Sequence, residues 1–223
     1  MTPYELYWIS GSPNSWRVML TLEIKRIPYV SHRIDPARRG HKTPEFLAMN
    51  PRGKVPVLKD GDRVLYESIA IMAYLERKHP DPQLFGATAA ETGHIWQRVF
   101  EVMNYAREAI NNGVVRPLIR GRAADSGEAI KSAATQAHED LAWVERVLSR
   151  TPYLAGEMVS AADVAYVPIV VQNLVRAAAR PDAAPLDLGF LPFDRRYPSM
   201  AAWLQRLEAL PIYDNAAPPH WRE

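Results

Sequence analysis

The 223-residue sequence predicts an α/β domain built on a small mixed sheet, followed by an all-helical domain. Three observations support this prediction. Residues 1–80 alternate between short runs with strand period and longer runs with helix period. Residues 81–87 are rich in turn-forming residues, and the remaining chain has almost only helical periodicity. We therefore expect domains at 1–80 and 88–223, joined by a linker at 81–87.

The pattern of residues 1–80 predicts a strand, a helix and a strand, followed by two strands and a helix. The runs YELYWI and YVSHRI flank the helical run NSWRVMLTLEIKR, which makes a right-handed β-α-β unit. Asp60-Gly61-Asp62, between KVPVLK and RVLY, indicates a hairpin. The run ESIAIMAYLERK predicts a helix that ends before Pro80. The polar, basic stretch in between predicts a loop with one or two helical turns.

Four apolar stripes at helical spacing predict the second domain. They lie in ETGHIWQRVFEVMNYAREAI, SGEAIKSAATQAHEDLAWVERVLSR, SAADVAYVPIVVQNLVRAAA and PSMAAWLQRLEALP. Ser160 and Asp163 resemble a capping box at the start of the third stripe, so we assign them to structure rather than to catalysis.

Composition excludes several kinds of site and partner. The chain has no cysteine, which excludes disulfides, thiolate metal sites and a protein thiol nucleophile. Its six histidines lack metal-ligand spacing. The net charge of +2, without a basic tract carrying aromatics, argues against nucleic acid. With no long apolar run and no signal-like N-terminus, we expect a cytoplasmic chain without a membrane partner.

The tetrapeptide Ser12-Pro13-Asn14-Ser15 stands where the first strand gives way to a helix. A helix N-terminus offers free N–H groups to an anion, and a serine hydroxyl adds a further donor. Thioredoxin-like redox proteins carry Cys-x-x-Cys at this place. The serine version could stabilise a thiolate that a ligand brings in. The alternative is that Ser12 or Ser15 only caps the helix.

Two later stretches could bind an extended ligand. Pro56 interrupts a strand, and a cis Val55–Pro56 bond would turn the Val55 backbone outward to pair with a peptide-like ligand. The alternative is an ordinary edge-strand proline. Glu67 and Ser68 begin a helix, where they could hold an ammonium and a carboxylate, or could simply cap it.

Together these motifs resemble the N-terminal, thioredoxin-like domain of soluble glutathione S-transferases, in particular the serine-type, theta-like and zeta-like bacterial classes. SPNSWRV is similar to the reactive-serine turn, NPRGKVPVLKDG to the cis-proline segment, and YESIAIMAYL to the glutamate-serine helix start. GHKTPEFLAMNP and VSAADVAYVPIV resemble further family segments, so the resemblance covers nearly the whole chain.

The resemblance implies a transferase that activates the thiol of glutathione, its co-substrate, for attack on small hydrophobic electrophiles, as in detoxification. Ser12 would donate a hydrogen bond to the thiolate, and Asn14 could add a second. The implied glutathione-binding residues are His41, Lys42, Lys54, Val55, Pro56, Glu67 and Ser68. The electrophile site would include Trp96, Phe100, Asn104 and Tyr105, although an aromatic stripe can equally be core. No permanently bound cofactor is implied, and the family usually forms homodimers.

Two other functions stay open. A glutathione-dependent isomerase or dehalogenase is one, but the zeta-like isomerase turn, Ser-Ser-Cys-Ser-Trp-Arg-Val, differs here at Pro13 and Asn14. A non-catalytic glutathione-binding module of the same fold is the other. A serine hydrolase is disfavoured, because Gly-x-Ser-x-Gly is missing at the strand-to-helix turn.

Overall fold

A computed structural model describes residues 3–211 and 213–216, apart from the side chains of 170–172 and 214. Within this part the chain forms two compact units. The first runs to Leu84 and takes up the chain again from Leu210, and the second is Phe85–Ala209. The domain limits expected from the sequence are 1–80, 81–87 and 88–223. They remain a prediction, because the two compact units are defined by packing and not by those limits.

The first unit contains a four-stranded mixed sheet with strand order β2-β1-β3-β4. Its strands are β1 (Tyr4–Trp8), β2 (Tyr29–Arg33), β3 (Val57–Asp60) and β4 (Arg63–Tyr66). Its helices are α1 (Pro13–Ile24), α2 (Pro44–Met49) and α3 (Ser68–Lys78), with a 3₁₀ turn at Gly40–Lys42. β1 and β2 are parallel, and the other two pairs are antiparallel. This confirms the predicted βαβ-ββα arrangement.

The register of the sheet brings three distant segments to one edge. Val57 at the start of β3 pairs with Tyr7 near the end of β1 and with Tyr66 at the end of β4. The chain that follows β1, the chain that precedes β3 and the chain that follows β4 therefore leave the sheet side by side. These segments carry the predicted site residues.

Apolar side chains of α1 and α3 cover the sheet, as the helical period in the sequence predicts. Val18 and Leu22 of α1 and Ile71 and Leu75 of α3 are completely buried, and the two helices pack against each other. The alternate residues of β1 are buried as well, which is the pattern of a strand with one covered face.

The second unit is helical throughout its regular structure. Its α-helices are α4 (Ala89–Glu101), α5 (Arg116–Ile119), α6 (Gly127–Leu148), α7 (Ala161–Val167), α8 (Val175–Ala178), α9 (Phe193–Arg196) and α10 (Pro198–Glu208). Two segments with the wider π-helical spacing, Val102–Val115 and Pro168–Leu174, continue α4 and α7. A 3₁₀ turn lies at Ala184–Leu186. The predicted helical class of this part of the chain is confirmed.

A last short helix, α11 (Tyr213–Ala216), belongs to the first unit and packs against α1. The Trp16 ring meets the Tyr213 ring edge-on at 5.4 Å between centroids. The sequence does not predict this helix, because four residues are too few to show a helical period.

Asp163 organises the start of α7, as the capping-box assignment predicts. Its side chain is fully buried and accepts hydrogen bonds from the N–H groups of Leu154 and Ser160, the Ser160 hydroxyl and the Trp203 indole. Burial raises the pKa of this carboxyl, and the four hydrogen bonds oppose the rise. All four contacts are donors, so the geometry suits a carboxylate.

No helix in the described ranges combines the length and the apolar character that crossing a bilayer requires. The same ranges contain no group of three or more His, Asp or Glu side chains placed to hold a metal ion.

We expect Asp163→Asn to lower the free energy of unfolding by about 3 kcal/mol, because the amide NH₂ group would face donors in place of an acceptor. Denaturant unfolding followed by circular dichroism measures the change. Asp125→Asn is the matched control, since Asp125 is exposed in the same unit and should change stability by less than about 0.5 kcal/mol. Equal stabilities of the two variants would contradict the role given to Asp163.

Candidate functional site

The site begins at the turn between β1 and α1. Ser12 has extended backbone angles, and its N–H donates to the Ile9 carbonyl at 3.1 Å. Its Oγ accepts the Ser15 N–H at 3.3 Å, which makes it the N-cap of α1. A serine hydroxyl can accept and donate at the same time. Capping uses a lone pair, so the hydroxyl hydrogen is left for a ligand, and the two sequence interpretations of Ser12 are compatible.

The first turn of α1 offers fewer backbone donors than an ordinary helix start. Pro13 has no N–H, Ser15 donates to the Ser12 hydroxyl, and Trp16 donates to the Ser12 carbonyl at 3.0 Å. Among the residues that the structure describes, this leaves the N–H of Asn14 as the first-turn donor open to an anion. Side chains must therefore contribute more here than the helix end alone would.

Arg17, which is not among the site residues predicted from the sequence, joins this turn to the start of α3. Its side chain is completely buried, and Nη1 donates to Asn14 Oδ1 at 2.9 Å. The same Nη1 lies 3.5 Å from Ser68 Oγ, at the outer limit of a hydrogen bond. The available signal was a charged residue inside an apolar helical run, three residues after Asn14 and therefore on the same face.

Glu67 and Ser68 form the second part of the site, but Ser68 is not the helix cap. α3 begins at Ser68, and Glu67 occupies the cap position without a side-chain capping bond. Glu67 has φ +71°, a region that a non-glycine residue enters only at a cost of about 1–3 kcal/mol. Its carboxylate is exposed, whereas Ser68 is buried beside Arg17.

Val55 and Pro56 form the third part. The peptide bond between them is cis, which is the arrangement predicted for pairing with a ligand. Pro56 is buried, and Val55 lies two residues before β3 begins, outside the ladder that Val57 opens. The bonds Asp81–Pro82 and Leu191–Pro192 are also cis.

The loop before Val55 is held by Asn50, a buried residue that is not among the site residues predicted from the sequence. Its side-chain NH₂ donates to the Lys54 carbonyl at 2.7 Å, and its Oδ1 accepts the Arg52 N–H at 3.1 Å. These bonds fix the chain on both sides of Gly53, which has φ +55°.

Gly53 brings the two basic predicted segments together. A Cβ at this position would lie 2.6 Å from Lys42 Nζ and 2.9 Å from the His41 carbonyl oxygen. His41 and Lys42 therefore lie against the turn that leads to Lys54. The Nδ1 atom of His41 is buried and has no hydrogen-bond partner in the described part of the chain, while Lys42 and Lys54 are exposed.

The four predicted electrophile residues do not gather in one place on the second unit. Trp96 stacks on Phe100 at 5.7 Å and contacts Phe85 at 5.0 Å, and Phe100 is 54% exposed. Asn104 is exposed. Tyr105 lines a separate cavity, with Trp143 and Tyr166. The electrophile site therefore stays a prediction.

That cavity has a volume of about 250 Å³ and lies between α4, its π-helical continuation, α6 and α7. Three of its buried polar atoms have no hydrogen-bond partner among the described residues: Arg98 Nε, Asp140 Oδ2 and the Tyr166 hydroxyl. Burial, followed by the charge of Glu139, raises the pKa of Asp140. Burial also raises the pKa of Tyr166 well above its ordinary value, with a smaller contribution from Asp140.

Comparison with known proteins gives matches over both units. Residues 11–78 match the family model for the glutathione S-transferase N-terminal domain, and residues 106–206 match the model for its C-terminal domain. The two models together account for most of the chain.

Relatives and solved structures agree with these matches. The chain is 31% identical to glutathione S-transferase A of Pleuronectes platessa, over 98% of this chain and 92% of the relative. It is 33% identical to glutathione S-transferase F10 of Arabidopsis thaliana, over 88% of each chain. A crystal structure of a glutathione S-transferase from the Antarctic clam Laternula elliptica superposes with a TM-score of 0.84 at 31% identity, covering 100% of this chain and 95% of that one. The chain belongs to the glutathione S-transferase family, and the transferase function predicted from the sequence is confirmed at that level.

Proposed function

We propose that the chain is a serine-type glutathione transferase in which Ser12 donates a hydrogen bond to the sulfur of glutathione and holds it as a thiolate. The observation that carries this proposal is the capping geometry at the start of α1. The Ser12 Oγ accepts the Ser15 N–H, so its own hydrogen is free for an anion at a helix N-terminus. The thiolate would then attack an electrophilic carbon.

The free energies support this role. A free thiol has a pKa of about 8.5. Lowering it by two units requires a preference for the thiolate of about 2.7 kcal/mol. One hydrogen bond to a charged acceptor contributes about 1.5–3 kcal/mol, and a helix N-terminus about 0.3–1 kcal/mol. Ser12 together with the first turn of α1 is therefore sufficient without a general base, and Ser12 need not act as a covalent nucleophile.

The two ends of glutathione would be held by the other parts of the site. Glu67 and Ser68 would bind the charged γ-glutamyl head, and the Val55 backbone would pair with the cysteinyl residue. His41, Lys42 and Lys54 would surround the glycine carboxylate. The unpartnered Nδ1 of His41 and the exposed ammonium groups support this assignment.

The finer parts of the prediction belong to the same proposal. The theta-like or zeta-like class rests on the Ser12 turn, and relatives include both theta-named proteins and plant enzymes. A homodimer, a cytoplasmic location, the absence of a permanent cofactor and an electrophile site at Trp96, Phe100, Asn104 and Tyr105 rest on the resemblance.

We expect Ser12→Ala to raise the pKa of the bound glutathione thiol by about 1–2 units, because it removes one hydrogen bond to a charged acceptor. The ultraviolet absorbance of the thiolate, titrated in the complex, measures this pKa. Turnover of an aryl halide at neutral pH should fall about 3- to 25-fold in parallel, because the thiolate fraction falls by that factor. A binding module without catalytic activity would instead be retained on glutathione resin but would turn over no aryl halide.

Two controls separate the hydroxyl from helix capping. Ser12→Thr keeps both the cap and the donor. The thiol of glutathione bound to this variant should therefore have a pKa close to that of glutathione bound to the unmodified chain. Thr88→Ala removes the N-cap of α4, whose hydroxyl accepts the Glu91 N–H at 3.2 Å, and should lower stability without moving the thiol pKa. An unchanged titration in Ser12→Ala would transfer the role to Asn14 or the backbone.

We expect Gly53→Ala to weaken glutathione binding about tenfold or more, because its Cβ would push the His41 and Lys42 segment away. Gly61→Ala is the matched control. Gly61 has nearly the same φ, +58°, but no atom within 4 Å of the place where a Cβ would stand. It therefore shares the backbone cost of about 1 kcal/mol and lacks the collision. Calorimetric titration with glutathione compares the two, and equal affinities would contradict the predicted glycine-carboxylate site.

A further inference from the structure

Arg17 is a fully buried cation to which the mechanism above gives no role. We propose that Arg17 is a positioning residue that fixes the Asn14 amide so that its NH₂ group faces the glutathione sulfur. This inference rests on the proposed function. In this arrangement Asn14 is a second hydrogen-bond donor to the thiolate. Arg17 holds the Asn14 oxygen and so keeps the NH₂ group oriented toward the sulfur.

The chemistry of the guanidinium group settles the orientation of the amide. Oxygen and nitrogen of an asparagine side chain can be distinguished only by their hydrogen-bond partners. A guanidinium group has five N–H donors and no acceptor. The atom 2.9 Å from Arg17 Nη1 must therefore be the Asn14 carbonyl oxygen. The NH₂ group is then turned away from Arg17, and Asn14 is only partly buried, so a ligand can reach it.

The position of Asn14 makes this orientation useful. Asn14 is the second residue of α1, directly after Pro13, which contributes no N–H to an anion. The side-chain NH₂ supplies hydrogen bonds at a helix start that lacks one of its usual backbone donors. If the amide could rotate freely, its oxygen would face the sulfur part of the time and repel a thiolate.

The same Nη1 lies 3.5 Å from the Ser68 oxygen, which Arg17 approaches as a donor. The Ser68 hydroxyl hydrogen is thereby directed away from Arg17, which leaves it available to the γ-glutamyl carboxylate of the proposed site. Arg17 thus lies between the groups proposed to meet two of the three anionic parts of glutathione, the thiolate and the γ-glutamyl carboxylate.

Arg17 could act by orienting Asn14 or by its charge alone, and a double-mutant cycle distinguishes these routes. Arg17→Met removes the donors at similar length, and we expect a rise of about one unit in the pKa of the bound glutathione thiol, which lowers the thiolate fraction at neutral pH about threefold. In an Asn14→Ala background the same substitution should move the thiol pKa by less than about 0.3 units, since the amide is already gone. Equal shifts in both backgrounds would overturn the positioning role.

Asn14→Asp tests the orientation without removing a buried group. Asp keeps an oxygen for Arg17 and is favourable in the first turn of a helix, so the variant should fold at least as well. Its second oxygen takes the place of the NH₂ group and opposes the thiolate, so we expect at least tenfold less thiolate at neutral pH. A thiol pKa equal to that of the unmodified chain would overturn the inference even if Arg17→Met does not fold.

Lys25→Met is the matched control for loss of a buried cation from the same helix. Lys25 lies eight residues further along, about 12 Å at 1.5 Å per residue. Its Nζ contacts Glu76 at 2.6 Å and the carbonyls of His79 and Pro82 at 2.7 Å each. This variant should lose stability and keep the thiol pKa. Arg17→Lys retains a charge and a donor and should recover part of the lost thiolate.

The measurements separate this inference from the proposed function. If the unmodified chain binds glutathione and Ser12→Ala shifts the thiol, but Arg17→Met and Asn14→Asp do not, only the inference fails. If the unmodified chain gives no thiolate signal and glutathione resin does not retain it, the proposed function fails, and the role of Arg17 fails with it.

Discussion

The hydrogen bond from the Ser15 N–H to the Ser12 hydroxyl is the contact on which the rest of the site depends. It fixes where α1 begins, and with that the direction of the helix axis and the position of Asn14 and Arg17 on it. A cap contributes only about 1 kcal/mol to stability. Its importance lies in geometry, because one turn more or less of helix would move the hydroxyl by about 5 Å.

The sheet supplies the second constraint. Because Val57 pairs with both Tyr7 and Tyr66, the chain around residues 12, 55 and 67 converges at one edge, although these positions are far apart in sequence. A slip of one residue would turn every side chain of a strand to the other face. The buried residues of β1 and β3 therefore protect the alignment of the site as well as the core.

Much of this arrangement could be predicted from the sequence, and the exceptions have identifiable physical causes. The order of strands and helices follows from hydrophobic period, and the Ser160–Asp163 box from local spacing. The approach of Arg17 to Ser68 and the packing of Gly53 against residues 41 and 42 are contacts that only the tertiary structure creates. Asn50 instead bonds to residues two and four positions along the chain, a spacing too common to mark a site. The positive φ of Glu67 could not be predicted either, because a positive φ is normally inferred from a glycine in the sequence. The aromatic stripe indicates that Tyr105 lines a cavity, but it does not show that this cavity is a different place from the one where Trp96 and Phe100 lie.

A buried cation lies near each end of α1, but it is favourable for the helix dipole at one end only. At its C-terminal end Lys25 meets Glu76 and two carbonyl oxygens, where a cation is favourable for a helix. Near its N-terminal end the Arg17 side chain reaches back to Asn14, as helical side chains do, and brings a cation to the positive end of the dipole. That placement is unfavourable for the helix alone and favourable for an anion bound there. The first turn of α1 is therefore better explained as a preorganised anion site than as a device for stability, since a helix start selected for stability alone would carry an acidic residue.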